Sequence, residues 1–315
     1  MKTIFGPVLS RRFGTSLGID LSPYKKQCNF DCLYCELAAS APLDAQDSIV
    51  EVSTIINELK EHLNSDIDVI TITANGEPTL YPHLNELIDA LNKIKQNTQT
   101  LILTNSSNLV KESVFNSLLK LDQVKLSLDS VSKDIFKKID RPLREIDIDK
   151  IVQKVIEFSR AFKGKLFIEI LFVKGINDTK EEVQKLNKTL LKLHNITRVD
   201  IGTIDRPPAY EVKPLTYKEL YDISHLFDSS LPIHIASRGE ATTTKHTSSY
   251  EEEDILNTLD KRALTMDDID ILFDENSKKR MQKLLSESKI TTKKVGNLEF
   301  FIPFENQNRK KVKKS

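Results

Sequence analysis

Ile67-Asp68-Val69-Ile70-Thr71-Ile72-Thr73-Ala74 runs straight into Asn75-Gly76-Glu77-Pro78-Thr79-Leu80, and an amphipathic stretch from His83 to Ile94 follows. The first segment carries the compact apolar run of a strand covered on both faces. The second is a turn, with Gly76 for close backbone approach and Pro78 to stiffen it. The third has the spacing of a helix with one buried side. Strand, loop and helix in that order form half of a βαβ unit, and the unit repeats along most of the chain.

Strand-like runs recur at Ser16–Leu21, Ile67–Ala74, Thr100–Asn105, Val124–Asp129, Lys165–Val173, Arg198–Ile204 and Pro232–Ala236. Helix-like runs lie between them at Thr54–Leu63, His83–Ile94, Val110–Leu119, Asp149–Phe162, Lys180–Leu193 and Tyr217–Phe227. Ile151, Val155 and Phe158 show the helical period plainly. Such alternation gives a parallel sheet through right-handed crossovers. A doubly wound open sheet and a barrel both satisfy the pattern. In a barrel, chemistry gathers where strands end and loops begin, and the distinctive residues of this chain fall there.

The chain has 315 residues, 29% charged and 39% apolar, with 46 basic and 46 acidic side chains. That composition is globular, and its overall neutrality excludes bulk attraction to polyanions. No apolar run approaches the roughly 18 residues that a membrane span needs. Met1–Pro7 lacks the apolar region of a signal peptide, so a cytoplasmic protein is expected. In that compartment thiols stay reduced and available as ligands.

All three cysteines stand in Cys28-Asn29-Phe30-Asp31-Cys32-Leu33-Tyr34-Cys35. An odd, clustered set argues for metal binding or catalysis and against disulfides. Thiolates are the natural ligands of iron–sulfur clusters, and three of them would leave one iron of a cubane open. Three other readings compete. Structural zinc wants four ligands, and the nearest histidine, His62, lies 27 residues beyond Cys35. Incidental buried thiols would not be expected at this spacing, and a four-cysteine ferredoxin site lacks its fourth cysteine.

The Cys28–Cys35 segment resembles the signature of the radical S-adenosylmethionine superfamily, including the aromatic Tyr34 before the last cysteine. The resemblance implies an α/β fold built on a partial (β/α)6-type barrel. It also implies a 4Fe-4S cluster on Cys28, Cys32 and Cys35, with S-adenosyl-L-methionine on the open iron. Reductive cleavage of that cofactor would then abstract a substrate hydrogen, using electrons from a flavodoxin- or ferredoxin-type donor. Asn75-Gly76-Glu77-Pro78 resembles the superfamily's GGEP-like motif, with Asn75 where glycine is more usual. By the same resemblance Tyr34, Asn105, Ser127 and Asp129 would contact the cofactor, as would their neighbours Thr104, Ser106 and Leu128. Glu169, Lys174, Asn177 and Asp178 are further candidates that read equally as turn or capping groups. Asp205-Arg206-Pro207-Pro208 would line the substrate side, with Arg206 holding an anion or making a structural ion pair.

Phe5–Gly14, Asn75–Leu80 and Asp205–Pro208 together resemble a bacterial and archaeal branch of iron–sulfur oxidoreductases. That branch is related to the enzymes that make the wyosine base of transfer RNA. Those enzymes carry extra N-terminal cysteines for a second cluster, and this chain has none, so their reaction is not carried over.

The texture changes after Ser237. The expected organisation is a core domain over 1–237, a linker over 238–250, a winged-helix-like module over 251–304 and a basic disordered tail over 305–315. Three helical runs (Glu251–Leu259, Met266–Leu272, Ser277–Ser286) precede a hairpin, Ile290–Val295 and Leu298–Pro303, turning at Gly296-Asn297. Tyr250–Asn276 holds ten acidic residues against two basic, and Ser277–Ser315 twelve basic against three acidic. The lysine-rich third helix, with Lys278, Lys279, Arg280, Lys283 and Lys289, suggests a nucleic-acid partner and RNA or nucleotide modification. A solvated helix face is the competing reading. The alternative function is a metal-stabilised or redox-sensing winged-helix nucleic-acid-binding regulator without catalysis.

Overall fold

The computed structural model describes residues 2–10, 13–64, 66–235, 249–261, 263–295 and 298–304. The expected linker, the hairpin turn at Gly296-Asn297 and the basic tail fall wholly or largely outside them. Among the described residues, eight strands form one sheet whose spatial order is their sequence order. They are β1 (Ile4–Ser10), β2 (Gly14–Asp20), β3 (Val69–Thr73), β4 (Gln99–Thr104), β5 (Gln123–Ser127), β6 (Lys165–Phe172), β7 (Ile196–Thr203) and β8 (Ile233–Ile235). β1 pairs antiparallel with β2, and every later pair is parallel.

Helices fill each parallel crossover: α1 (Val52–His62), α2 (Leu84–Ile94), α3 (Glu112–Leu118), α4 (Lys133–Ile139) with α5 (Ile148–Ala161), α6 (Lys180–Leu190) and α7 (Tyr217–Ser224). A doubly wound sheet would reverse its strand order partway. This one never does, so it curls as a barrel does and stays open between β1 and β8.

Each strand presents two unlike faces, because successive side chains point to opposite sides. One set, including Leu17, Ile19, Ile70, Ile72, Ile102, Val124, Leu126, Ile168, Ile170, Val199 and Ile201, is buried under the helices. Ile55 and Leu59 of α1, Leu87 and Leu91 of α2, Val155 and Phe158 of α5, and Val183 and Leu186 of α6 complete that core. The alternate set lines the lumen and mixes polar groups with a few apolar ones such as Leu101, Leu103 and Phe167. Ser16 Oγ lies 2.7 Å from Thr71 Oγ1. Lys125 is ion-paired with Glu169. Arg198 Nε donates to Asp200 Oδ1 at 2.7 Å, and His234 Nδ1 stands 3.3 Å from the same oxygen. Phe13 and Phe167 meet edge to face at 5.0 Å, beneath the Arg198 guanidinium.

Three helices and a hairpin form a second unit: α8 (Glu252–Lys261), α9 (Met266–Leu272), α10 (Glu275–Ser286), β9 (Ile290–Val295) and β10 (Leu298–Pro303). Thr265 and Asp268 make a reciprocal capping box at the start of α9, and Asp274 caps α10. These caps satisfy amide groups that a helix start leaves open. Ile255, Leu259, Leu264, Phe273 and Leu284 form a separate core, and Val8 of β1 belongs to it. The Tyr250 hydroxyl donates to the Pro7 carbonyl. Asn257 Nδ2 donates to Ile4 O at 3.4 Å, and Lys2 pairs with Asp254 at 2.8 Å. β1 therefore serves both units, as the edge of the sheet and as the seat of the C-terminal one.

Candidate active site

The cysteine loop follows β2 and crosses the mouth of the barrel, where backbone bonds pin it on three sides. Gln27 N donates to Asn75 O at 2.8 Å, and Glu77 N donates to Gln27 O at 2.9 Å. Leu33 N donates to Ile139 O at 2.8 Å at the end of α4, and Ala209 N donates to Cys35 O at 2.9 Å in the loop after β7. Gly76 has φ +139°, and a Cβ there would lie 1.8 Å from the Gln27 carbonyl oxygen. The glycine is thus demanded by the approach of the cysteine loop itself. The Asn75 carbonyl accepts from Gln27 N and from Ser22 Oγ at 3.0 Å.

Glu77 is a clamp. Its carboxylate is buried and accepts from Thr79 N at 3.0 Å, Thr79 Oγ1 at 2.6 Å, Thr104 Oγ1 at 2.6 Å and Asn105 N at 2.8 Å. Burial pushes its carboxyl upward against the pull of those donors. Asn105 carries the connection onward, donating to Asn29 Oδ1 at 2.8 Å and lying 4.0 Å from Cys28 Sγ. Asn29 donates to Ser107 Oγ at 2.7 Å. The ends of β3 and β4 and the cysteine loop are one hydrogen-bonded piece.

Beneath the loop is a small cavity lined by Phe30, Tyr34, Asn105, Ser127, Leu128, Asp129, Ser130 and Asp140, among others. Four of the expected cofactor contacts, Tyr34, Asn105, Ser127 and Asp129, meet there. The Tyr34 hydroxyl donates to Asp129 Oδ2, whose other oxygen accepts Leu171 N at 2.7 Å. Burial raises both Asp129 and Asp140 above the ordinary carboxyl range.

The remaining candidates divide. Glu169 stays in the lumen with Lys125. Lys174 turns outward to Glu219 at 2.7 Å. Asn177 is a fully buried staple between the ends of β5 and β6, and Asp178 accepts Gly175 N at 2.9 Å in a turn. Arg206 forms a forked pair with Glu36 at 2.8 and 2.9 Å, which makes it an ion pair beside the loop.

Sequence reasoning missed the residues that hold the loop from inside. Asp31 is buried, accepts the Tyr210 hydroxyl and stands 3.4 Å from Arg141, whose guanidinium lies 4.7 Å over the Tyr210 ring. Asp31 sits between two cysteines, the one signal that pointed to it.

The three thiols are half-buried and unbridged. Burial raises all of them: Cys28 to about 12, Cys32 well above its ordinary value with help from Asp140, and Cys35 against the opposing charge of Lys26. Among the described residues no three His, Cys, Asp or Glu side chains converge as ligands of one ion. A single zinc requires convergence, whereas thiolates that each bind their own iron do not. The donor set, thiols alone in one pinned loop, fits a cubane.

A sequentially ordered parallel barrel with three clustered thiols at the C-terminal ends of its strands defines a class: a barrel enzyme organised around an iron–sulfur centre. The family model of the Radical SAM superfamily matches residues 23–187, and the chain belongs to that superfamily. It is an enzyme with a 4Fe-4S cluster and S-adenosylmethionine as cofactors. It is 42% identical to a UPF0026 protein of Helicobacter pylori over 96% of this chain and 97% of that one. A UPF0026 protein of Methanocaldococcus jannaschii is 33% identical over 72% of each chain, so the expected bacterial and archaeal branch is met. The fold is similar to that of a radical SAM methyltransferase from Sphaerobacter thermophilus, with a TM-score of 0.56 and 14% identity. That match covers 71% of this chain and 67% of the other.

Proposed function

We propose that Cys28, Cys32 and Cys35 hold the 4Fe-4S cluster and that S-adenosylmethionine occupies its open iron, beside Asn75–Pro78, Tyr34, Asn105, Ser127 and Asp129. The observation that carries this reading is the pinned cysteine loop with its three thiols, and Tyr34, Asn105, Ser127 and Asp129 gathered beneath it. Held by these residues, the cluster and S-adenosylmethionine would together supply radical chemistry for the removal of a substrate hydrogen. The protein's part is geometric. Glu77 and Asn105 fix the loop against two strand ends, Asp129 holds the Tyr34 hydroxyl, and the apolar rings of Phe30 and Phe136 limit water beneath the thiols. Anaerobic reconstitution, reduction with dithionite and assay of 5′-deoxyadenosine test it. Product from the wild type and none from Cys32→Ala is the expected result.

Our reading of the rest is a cytoplasmic enzyme with a winged-helix-like module, fed by a flavodoxin- or ferredoxin-type donor, acting on RNA or a nucleotide. Support for the module is its order of three helices and a hairpin. No helix among the described residues is long and apolar enough to cross a membrane. Support for a nucleic-acid substrate is the basic balance of residues 277–315. The cations of α10 argue against that helix as the contact, because acidic side chains hold most of them. Lys278 pairs with Asp270 at 2.9 Å, Arg280 with Glu251 at 2.7 Å and Lys283 with Glu252 at 2.6 Å. Binding to an unmodified transfer RNA pool across a salt series tests the substrate class, and affinity without salt dependence would remove it. Nothing in the comparisons favours the non-catalytic regulator.

A further inference from the structure

Lys25 and Lys26 look alike in the sequence and are opposite in the fold. Lys25 is exposed and pairs with Asp47 at 2.5 Å. The Lys26 side chain is buried, only 7% exposed, and its ammonium reaches no oxygen acceptor within hydrogen-bond distance among the described residues; the Cys35 thiol is its partner. Asp31 Oδ1 is 3.9 Å away, too far for a hydrogen bond. Asp31 is also committed elsewhere, to the Tyr210 hydroxyl, Ser40 N and Arg141. A buried ammonium whose neighbours are one distant, shared carboxylate and a neutral thiol is a standing cost to the folded chain, and a negative charge arriving on the sulfur side would offset it.

The cysteine loop says what arrives. Lys26 stands two residues before Cys28 in that loop. Its ammonium faces the Cys35 thiol and lies within electrostatic reach of Cys28. A cubane core held by three thiolates is a net anion that grows more negative on reduction, and its sulfurs accept hydrogen bonds. Net charge and hydrogen bonds to sulfur are what set the potential of such a cluster.

We infer that Lys26 is a positioning residue for the cluster: its buried ammonium is the built-in counter-charge of the cluster's anionic sulfur face, holding the cluster in place and easing its reduction. This rests on the reading that Cys28, Cys32 and Cys35 are the ligands. It makes an unusual pair of demands. The same substitution must strengthen the empty protein and weaken the loaded one.

The test uses the full chain with Lys26→Met, Lys26→Gln and Lys26→Arg, each melted without iron and again after anaerobic reconstitution. Cluster release to a chelator and the midpoint potential by EPR-monitored titration are read on the loaded forms. The Met and Gln variants are expected to melt higher than wild type when empty. Loaded, they should release the cluster about tenfold faster and show a one-electron reduction constant about tenfold smaller, a fall of about 59 mV. Arg should stay near wild type in both states. Empty Met and Gln variants that melt lower, with unchanged release and potential, would make Lys26 a structural partner of Asp31 and overturn the inference. A wild-type protein that takes up no cluster under the same conditions would overturn the underlying ligand assignment, and this inference with it.

Discussion

The two faces of the barrel strands are made from the same segments yet obey different rules. Facing the helices, β3, β5 and β6 carry Ile70, Ile72, Val124, Leu126, Ile168 and Ile170, all fully buried in one continuous apolar core. Facing the lumen, the same strands carry Thr71, Lys125 and Glu169, held by hydrogen bonds and an ion pair. The outer face is bound by volume and area, where any well-fitting apolar set serves. The inner face is bound by pairing, where each group depends on a named partner. The difference marks the lumen as the side kept for chemistry.

The sharpest contrast is between the mouth and everything else. Cys32→Ala is expected to abolish 5′-deoxyadenosine formation outright while leaving the urea midpoint of the metal-free protein nearly unchanged. Next comes the outer face, where Ile70→Ala should cost about 2–5 kcal/mol in urea unfolding through lost transfer energy and the cavity left behind. Thr71→Ala, one residue along and facing inward, should cost only about 1 kcal/mol, the usual worth of the bond to Ser16.

Pairing in the lumen makes a third test. Lys125→Met alone takes an ion-pair partner from Glu169 and should destabilise by about 1–3 kcal/mol. Adding Glu169→Leu should recover most of that loss, and a double-mutant cycle that proves additive would show the pair to be uncoupled. A fourth test uses pH. Cys28 in the metal-free fold is raised from 9.0 to about 12, so its neutral form is favoured by folding. That stability is complete below about pH 9 and is lost as the pH climbs toward 12. The metal-free Cys28→Ala variant should show a flatter decline in chemical unfolding over that window. Smallest of all, Lys283→Ala on the exposed face of α10 should leave the melting temperature unchanged, since that pair is held in water.

Most of the fold could be read from the sequence because its signals are local and repeated. All seven expected strands and the six expected crossover helices exist, with ends displaced by a few residues, because each helix carries its apolar stripe and each strand its aliphatic run. What escaped had weak local signals. β1 holds Gly6-Pro7 at its centre, which interrupts the alternation and shifts the register between Phe5 and Val8. α4 buries only Phe136 and Ile139, too few positions to declare a period.

The candidate site was legible as a motif and opaque as a machine. The spacing from Cys28 to Cys35 announced the chemistry. Nothing near Glu77 says that its partners are Thr104 and Asn105, one strand further on. Nothing in Lys25-Lys26 says that one of the two is buried. Partner choice across a barrel mouth is decided by strand register, which a single sequence leaves unspecified.

β1 is made early and covered late. Val8 waits for Ile255, Leu259 and Leu264, and the Pro7 carbonyl waits for the Tyr250 hydroxyl. At a synthesis rate of about 5–20 residues per second, β1 and its neighbours leave the ribosome many seconds before their cover does. In that interval the growing chain carries a bare sheet edge, the kind of surface that recruits strands from other chains. Removing the C-terminal unit would make that interval permanent.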